Sequence, residues 1–402
     1  MKRDGSAMYP PPMPSTLRFR PPSLAISPEA RWMLLRAFGP AGAAFPVPVD
    51  PGKALGLSRT FEVSARIAAR QGKVRLAAEL GPEAAAGFAR DRTAAAASGL
   101  RLMAAVREVA EAAAPLGVPL AVLKFAALEG TGLLAGGSRG ACDIDVLAPG
   151  GRAEDLQQAL AGAGYRVSGM PEMEHQLPPL SAPSGAVVEI HRHLPGVRIG
   201  GGASATLEAL DREGLLVPLP DQPGRCSAPV PEVQAAHVLV HGMGQHGYWP
   251  ASYSLLKMVA DLLDLGAEAL TPRALAWIGR DVPAGEAEAV RRLCLRLVAG
   301  EDPAGWEALE ETLLRHILAG RLDAEYGRAL RLGMFRPVPS DRPRPVQLAR
   351  SVLDAVFLTD AQIDAVYGRP RTRLGYLGRR LARPFDLLFR LGSYGLARLR
   401  RG

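Results

Sequence analysis

The sequence predicts an α+β fold in which a small mixed-sheet core is flanked by N- and C-terminal helical regions. Two observations lead to this prediction. Helical periodicity, with apolar positions three or four residues apart, dominates both ends of the 402-residue chain. Between them, short apolar runs of strand length alternate with helical segments over about 100 residues, a pattern typical of a compact α/β unit.

The N-terminal part of the chain divides into an arm and a helical region. Residues 1–26 are rich in proline and lack periodicity, which predicts a flexible arm. Residues 27–115 are predicted to be mostly helical. Ser27 can cap the first helix, and Pro115 ends an alanine-rich helix that begins at Pro82.

Residues 116–220 are predicted to form the sheet core. The strand candidates are, in chain order, Val118–Lys124, Cys142–Leu147, Tyr165–Ser168, His175–Leu180 and Ala186–His193. Helices are expected at Ala126–Leu134 and Ala153–Ala161. Residues 221–368 are then predicted to form a C-terminal helical domain, and residues 369–402 a basic amphipathic tail.

The charge of the chain is concentrated in that tail. The formal net charge is +8, but residues 369–402 hold ten arginines and one acid, a charge of +9 that leaves −1 for the rest. The predicted globular body is therefore nearly neutral, which argues against sequence-specific nucleic acid as a partner. No apolar run is long enough to span a bilayer, and no signal peptide is visible.

Two interpretations of the tail stay open. Leucines recur at helical spacing among the arginines, as in a helix that lies on an anionic membrane surface. The same pattern fits a terminal helix that docks on its own domain. The three cysteines match no metal or redox motif and are interpreted as buried apolar residues, which fits a cytoplasmic protein, with peripheral association to a membrane if the tail binds one.

Three carboxylates carry the main chemical signal. In the strand Cys142–Leu147, Asp143 and Asp145 share one face, while Cys142 and the other alternate residues face the core. Two carboxylates on one strand face suit a bound Mg²⁺ ion. Glu189 lies on a later strand and would add the third carboxylate of a two-metal site for phosphoryl transfer.

The chain resembles a bacterial family of uncharacterised nucleotidyltransferases in the polymerase β-type superfamily. The residues that carry the resemblance are Leu123-Lys124, Arg139, Asp143-Ile144-Asp145, Val188-Glu189-Ile190-His191, His237 with His241, and the helix Leu255–Asp261. Phe125 stands where the family usually has glycine. The resemblance implies a nucleotidyltransferase core at residues 116–220, with one or two Mg²⁺ ions as cofactor and an NTP as substrate.

The resemblance also implies the site residues. Asp143, Asp145 and Glu189 would bind the metal and carry the catalysis, Glu189 either as a ligand or as the base that deprotonates an acceptor hydroxyl. Nucleotide or substrate contacts would come from Lys124, Gly137, Ser138, Arg139 and His191, with the two cations on triphosphate oxygens.

Three hypotheses about function follow. The first is a Mg²⁺-dependent nucleotidyltransferase that acts on an unknown acceptor. The second is a catalytically degenerate member of the fold that senses nucleotides or binds a partner, a hypothesis that Phe125 favours. The third is a transition-metal hydrolase site at His237, His241 and His246, and the alternative for these histidines is a polar cluster beneath the nucleotide site with Lys257 and Asp261.

Overall fold

The computed structural model of the protein describes residues 26–169, 172–200, 203–219, 221–245, 254–279, 282, 284–303, 306, 308–322, 363 and 372–385. It has the predicted architecture, a mixed sheet with helices before and after it in the chain. The predicted arm, apart from Ile26, lies outside the described residues, as do His246, residues 323–362 and 364–368 of the predicted C-terminal domain, and residues 369–371 and 386–402 of the predicted tail.

The helices of the described chain begin where the sequence offers caps and prolines. Ser27 Oγ accepts a hydrogen bond from the backbone nitrogen of Ala30, and a proline occupies the first turn of that helix. The helices are α1 (Pro28–Phe38), α2 (Pro51–Thr60), α3 (Ser64–Leu80), α4 (Pro82–Ala113), α5 (Lys124–Gly130), α6 (Ala153–Gly162), α7 (Leu207–Arg212), α8 (Pro231–Leu239), α9 (Leu255–Asp264), α10 (Pro272–Ile278), α11 (Ala284–Ala299) and α12 (Ala308–Leu322), and α13 (373–385).

The strands form one larger and one smaller sheet. They are β1 (Leu120–Val122), β2 (Asp143–Leu147), β3 (Arg166–Val167), β4 (Leu180–Ser181), β5 (Val187–His191), β6 (Leu194–Arg198), β7 (Ser204–Ala205), β8 (Leu216–Pro218) and β9 (Cys226–Pro229). The larger sheet has the order β3-β4-β5-β2-β1-β9-β8, and β6 pairs with β7. Strands β2 and β5 are parallel neighbours in the middle of the larger sheet, whereas β1 runs antiparallel to β2.

The two faces of the larger sheet join different hydrophobic clusters. Ile144 and Val146 of β2 pack with apolar residues of α4 and α6. Leu147, from the opposite face of the same strand, belongs to the cluster that includes α8 and α9. Because strand side chains alternate, the residues that share a face with Leu147 are directed towards this second, helical side.

The predicted strand His175–Leu180 is largely absent. Only a single bridge, between Gln176 and His191, and the short strand β4 occupy this stretch. Pro178 and Pro179 explain the difference, because proline has no backbone N–H to donate to a ladder.

The chain changes its helical form at Val240, directly after α8. Residues Val240–Gln245 form a π-helical segment after α8 ends. A Cβ atom placed on Gly242 would lie 2.4 Å from Sδ of Met258, so α9 approaches the segment at a distance that only glycine allows.

The tail is helical where it is described. In α13, Leu374, Leu377, Leu381 and Phe385 are exposed by 50–78%. Among the residues that the structure describes, we find no helix that combines the length and the apolar composition required to cross a bilayer.

Candidate functional site

The two parallel strands in the middle of the larger sheet bring Asp145 and Glu189 together. The register of β2 and β5 places these two residues directly opposite each other. Side chains opposed across neighbouring strands lie on the same face, here the face directed towards α8 and α9. Asp145 is 3% exposed, whereas Glu189 keeps a partly accessible side chain.

Lys124 faces the Asp145 carboxylate. It is the first residue of α5 and lies two residues after the end of β1, and its Nζ donates to Oδ1 of Asp145 over 2.8 Å. Its φ of 49° lies in the left-handed region, which costs a non-glycine residue about 1–3 kcal/mol. Burial by itself lowers the pKa of Lys124, but the carboxylates of Asp145, Glu189 and Asp143 outweigh it and leave that pKa raised.

His191 completes a compact group of ligand-type atoms. Its Nε2 lies 2.9 Å from Oδ1 of Asp145 and 3.9 Å from Oε2 of Glu189. One ligand atom from each of these three residues lies within 4.8 Å of the other two, so the group could hold a metal ion.

The surroundings shift the pKa values of the two facing carboxyl groups in opposite directions. Burial would raise the pKa of Asp145, but the Lys124 ammonium and the His191 hydrogen bond hold it well below its usual range. For Glu189, burial and the negative charge of Asp145 act together and raise the pKa. Asp145 therefore stays ionised, while Glu189 is the better proton acceptor.

Five histidines form a line of neighbouring rings beside the carboxylates. The ring centroids are 6.2 Å apart for His193 and His175, 5.9 Å for His175 and His191, 6.5 Å for His191 and His237, and 6.1 Å for His237 and His241. From the sequence, His237 and His241 were grouped with His246, and His175 was not predicted to belong to the site. Its one sequence signal was its place in a predicted strand close to Ala186–His193.

His237 is the most enclosed ring of this line. It is 2% exposed, and neither ring nitrogen has a hydrogen-bond partner within the described part of the chain. Burial, together with the positive charge of Lys124, holds its pKa well below the usual value. Burial likewise lowers the pKa of His175 to about 3. Both rings are therefore neutral at ordinary pH, with nitrogen lone pairs that can bind a cation.

Arg139 forms an ion pair with Asp261 of helix α9. Its Nε and Nη2 donate to the two carboxylate oxygens of Asp261, over 2.5 and 2.8 Å. Its guanidinium also lies 5.5 Å from the ring centre of Phe125. Arg139 is 8% exposed and Asp261 is fully buried. Lys257, which was expected beside Asp261, is instead paired with Glu62 over 3.2 Å.

Gly137 and Ser138 lie in the turn that packs against α4. Gly137 has a φ of 70°, and a Cβ atom there would lie 2.8 Å from the carbonyl oxygen of Arg92. The backbone nitrogen of Ser138 donates to the carbonyl of Ala135 over 2.8 Å. The glycine is thus required by the packing of the turn on α4.

Asp143 lies at the start of β2, outside the group of three. Its Oδ1 is 3.7 Å from Sγ of Cys142. The prediction that all three cysteines are buried is wrong for Cys142, which is exposed because it precedes the strand, while Cys226 and Cys294 are buried.

Comparison with known proteins gives one family match. The model of a family described as "Uncharacterised nucleotidyltransferase" matches residues 48–268, more than half of the chain. Among solved structures, the antibiotic-resistance factor ANT(2'')-Ia aligns with 16% identity and a TM-score of 0.32, over 47% of this chain and 89% of that one. No curated protein matches the sequence.

Proposed function

The chain belongs to the uncharacterised nucleotidyltransferase family, and on this premise we propose that it transfers a nucleotidyl group from an NTP to an acceptor, with Mg²⁺ as cofactor. The observation that carries the proposal is the pairing of Asp145 with Glu189 across β2 and β5, beside His191 and Lys124. The acceptor is a hydroxyl or phosphate group of a small molecule, a glycan precursor or a protein side chain.

The donor set fits a divalent cation. Ligand atoms of Asp145, Glu189 and His191 lie close together, and Asp143 adds a carboxylate two residues before Asp145 on the same strand face. Asp143, Asp145 and Glu189 would hold the metal. When bound, Mg²⁺ neutralises phosphate oxygens and orients the triphosphate for in-line displacement.

The protein residues supply proton transfer and positioning. The acceptor oxygen forms a bond to the α-phosphorus, the bond from that phosphorus to the bridging oxygen breaks, and pyrophosphate leaves. In the alternative in which Glu189 does not bind the metal, this carboxylate, whose pKa is raised, takes the proton of an acceptor hydroxyl. Lys124 contacts phosphate oxygens once it is released from Asp145. Gly137, Ser138 and His191 line the nucleotide. A contact of Arg139 with the triphosphate requires its release from Asp261.

The second candidate is a degenerate fold that senses nucleotides or binds a partner without turnover. The contact of Lys124 with Asp145 favours it, because the ammonium already neutralises the carboxylate that a metal would use. Lys124→Gln separates the two candidates. For the enzyme we expect turnover to fall at least about 100-fold with NTP binding weakened. For a sensing module NTP binding is metal-independent, and there is no turnover to lose.

We propose a cytoplasmic location, with the tail at an anionic membrane surface. In α13 four arginines and no acid accompany the exposed apolar side chains. That combination supports binding in the interface of a bilayer with anionic lipids more than docking on the protein's own domain.

Nucleotide binding is the direct test of the transfer function. Binding of each NTP to the full chain is measured by calorimetry with and without Mg²⁺, and pyrophosphate release is followed in parallel. We expect NTP binding that depends on Mg²⁺. Asp145→Asn and Glu189→Gln should either weaken this binding or leave it intact and abolish pyrophosphate release. Asp155→Asn, which changes an exposed carboxylate of α6 that pairs with Arg152 three residues earlier, is the matched control. Absence of binding for every NTP overturns the proposal.

A further inference from the structure

The group of three at the site contains a nitrogen ligand. The distance of 2.9 Å between Nε2 of His191 and Oδ1 of Asp145 is close to the separation of about 3.0 Å between neighbouring ligands of an octahedral ion with bonds of about 2.1 Å. Oε2 of Glu189 lies 3.9 Å from the same nitrogen, so a shift of under about 1 Å brings it into the same coordination shell.

The chemistry of these donors differs from that of an all-oxygen site. Mg²⁺ is held by oxygen ligands with near-ideal octahedral geometry, whereas imidazole suits zinc, iron, cobalt and other first-row transition metals. His191 is buried in the sheet, and its Nδ1 has no hydrogen-bond partner among the described residues. Without a metal, Nε2 donates its proton to the ionised Asp145 carboxylate. Because Nδ1 has no partner in the described chain, the ring can carry its proton on Nδ1 instead when a cation binds, and Nε2 then presents a lone pair to the cation.

A second, independent feature points to a cation at the same place. The ring of His237 meets that of His191 edge-on, with centroids 6.5 Å apart, and both of its nitrogens are buried without partners in the described chain. Burying an imidazole with no hydrogen bond costs about 1–3 kcal/mol. A water bound to a metal ion at the neighbouring site would give one of these nitrogens a hydrogen-bond partner.

We propose that Asp145, Glu189 and His191 form a binding site for a first-row transition-metal dication, with His237 adjoining it. The inference rests on the proposed function, which makes this group part of the transfer site. It deepens that function by assigning the ion at these three residues to a class other than Mg²⁺. The Mg²⁺ that accompanies the NTP is then left to Asp143 and the triphosphate. Metal binding displaces the Lys124 ammonium from Oδ1 of Asp145, because the dication takes over its neutralising role.

The first experiment measures the ion directly, with no nucleotide present. The full chain, purified without a polyhistidine tag and stripped by a chelator, is titrated with Zn²⁺ and with Mg²⁺ by calorimetry. We expect one site that binds Zn²⁺ at least about 100-fold more tightly than Mg²⁺. Equal affinities, or no saturable Zn²⁺ site, overturn the proposal.

The second experiment identifies the ligand. Pulsed EPR of bound Mn²⁺ should detect a coupled nitrogen, and ¹⁵N-labelled histidine should shift this coupling. In His191→Gln the coupling should vanish and Zn²⁺ affinity should fall at least about 100-fold. His193→Gln, two residues along the chain, is the matched control. It should keep both the nitrogen coupling and the Zn²⁺ affinity of the wild type. A retained coupling in His191→Gln overturns the assignment, and a thermal melt establishes that this variant is folded.

The outcomes separate this inference from the transfer function. Mg²⁺-dependent NTP binding without a nitrogen-coupled ion overturns the inference about the metal and supports the transfer function. A nitrogen-coupled ion in a protein that binds no NTP overturns the transfer function and supports the metal site.

Discussion

Arg139 and Asp261 form a two-point ion pair that joins the loop before β2 to helix α9. Nε and Nη2 of the arginine reach one carboxylate oxygen each, and both side chains are at least nine-tenths buried. The pair spans 122 residues of sequence. It therefore ties the sheet core, with its carboxylate group, to the C-terminal helices.

Breaking this pair should destabilise the whole fold. In Asp261→Asn the buried Arg139 guanidinium loses the carboxylate that it contacts at two points, and such losses cost about 3–5 kcal/mol. The free energy of unfolding from urea titration measures the effect. Arg107→Gln serves as the control, because its pair with Glu111 is exposed on one helix face and should contribute under about 0.5 kcal/mol. Equal costs for the two variants would contradict the structural role given to the pair.

Gly137→Ala should destabilise the protein, whereas the adjacent Gly136→Ala should not. The first substitution puts a Cβ atom 2.8 Å from a carbonyl oxygen of α4 in a left-handed residue, and the second meets nothing within 4 Å. We expect a loss of about 1–3 kcal/mol for Gly137→Ala. Chemical denaturation of both variants gives the comparison, and a neutral Gly137→Ala would show that the turn does not pack on α4 in this way.

Lowering the pH should weaken the fold through His316. This residue of α12 is 1% exposed, and burial lowers its pKa to about 3. The folded-state pKa is depressed, so between pH 6.5 and about 3 the unfolded chain binds a proton that the folded chain does not. Stability is therefore fully present above the unfolded pKa and falls as the pH drops through this window. His316→Gln should reduce proton uptake on unfolding at pH 5 by about one.

Equilibrium unfolding of His316→Gln and the wild type across this range measures the difference in slope. Parallel curves would mean that His316 titrates in the folded protein much as it does in the unfolded chain.

The exposed apolar side chains of α13 should decide membrane binding. Leu377→Ser with Leu381→Ser is expected to lower partitioning to vesicles that contain anionic lipid at least about tenfold, because each buried leucine contributes about 1.5–3 kcal/mol. Leu295→Ser, a comparably exposed leucine of α11, is the control. Vesicle co-sedimentation at two salt concentrations provides the measurement. Binding that is equal on zwitterionic vesicles, or unaffected by the double change, would favour docking of the tail on the protein itself.

Local sequence patterns determined the elements and the face of the carboxylates. Alternation along Asp143–Leu147 put Ile144 and Val146 in the core and Asp145 on the other face, as the structure has them. Proline and cap residues determined where α1 and α4 begin. Such signals are short-ranged: they depend on the period of a helix or strand and on backbone chemistry within a few residues.

Which side chains meet was decided only by the tertiary structure. Arg139, which the resemblance assigns to the triphosphate, pairs with Asp261 in the structure. The ring of His175 lies beside that of His191, although Pro178 and Pro179 prevent the predicted strand. Long-range pairs carry no periodic signal, because they depend on the order of strands and on how helices close over the sheet. The sequence by itself therefore determined that carboxylates gather on one sheet face. The fold decided that a buried lysine and a line of histidine rings surround them.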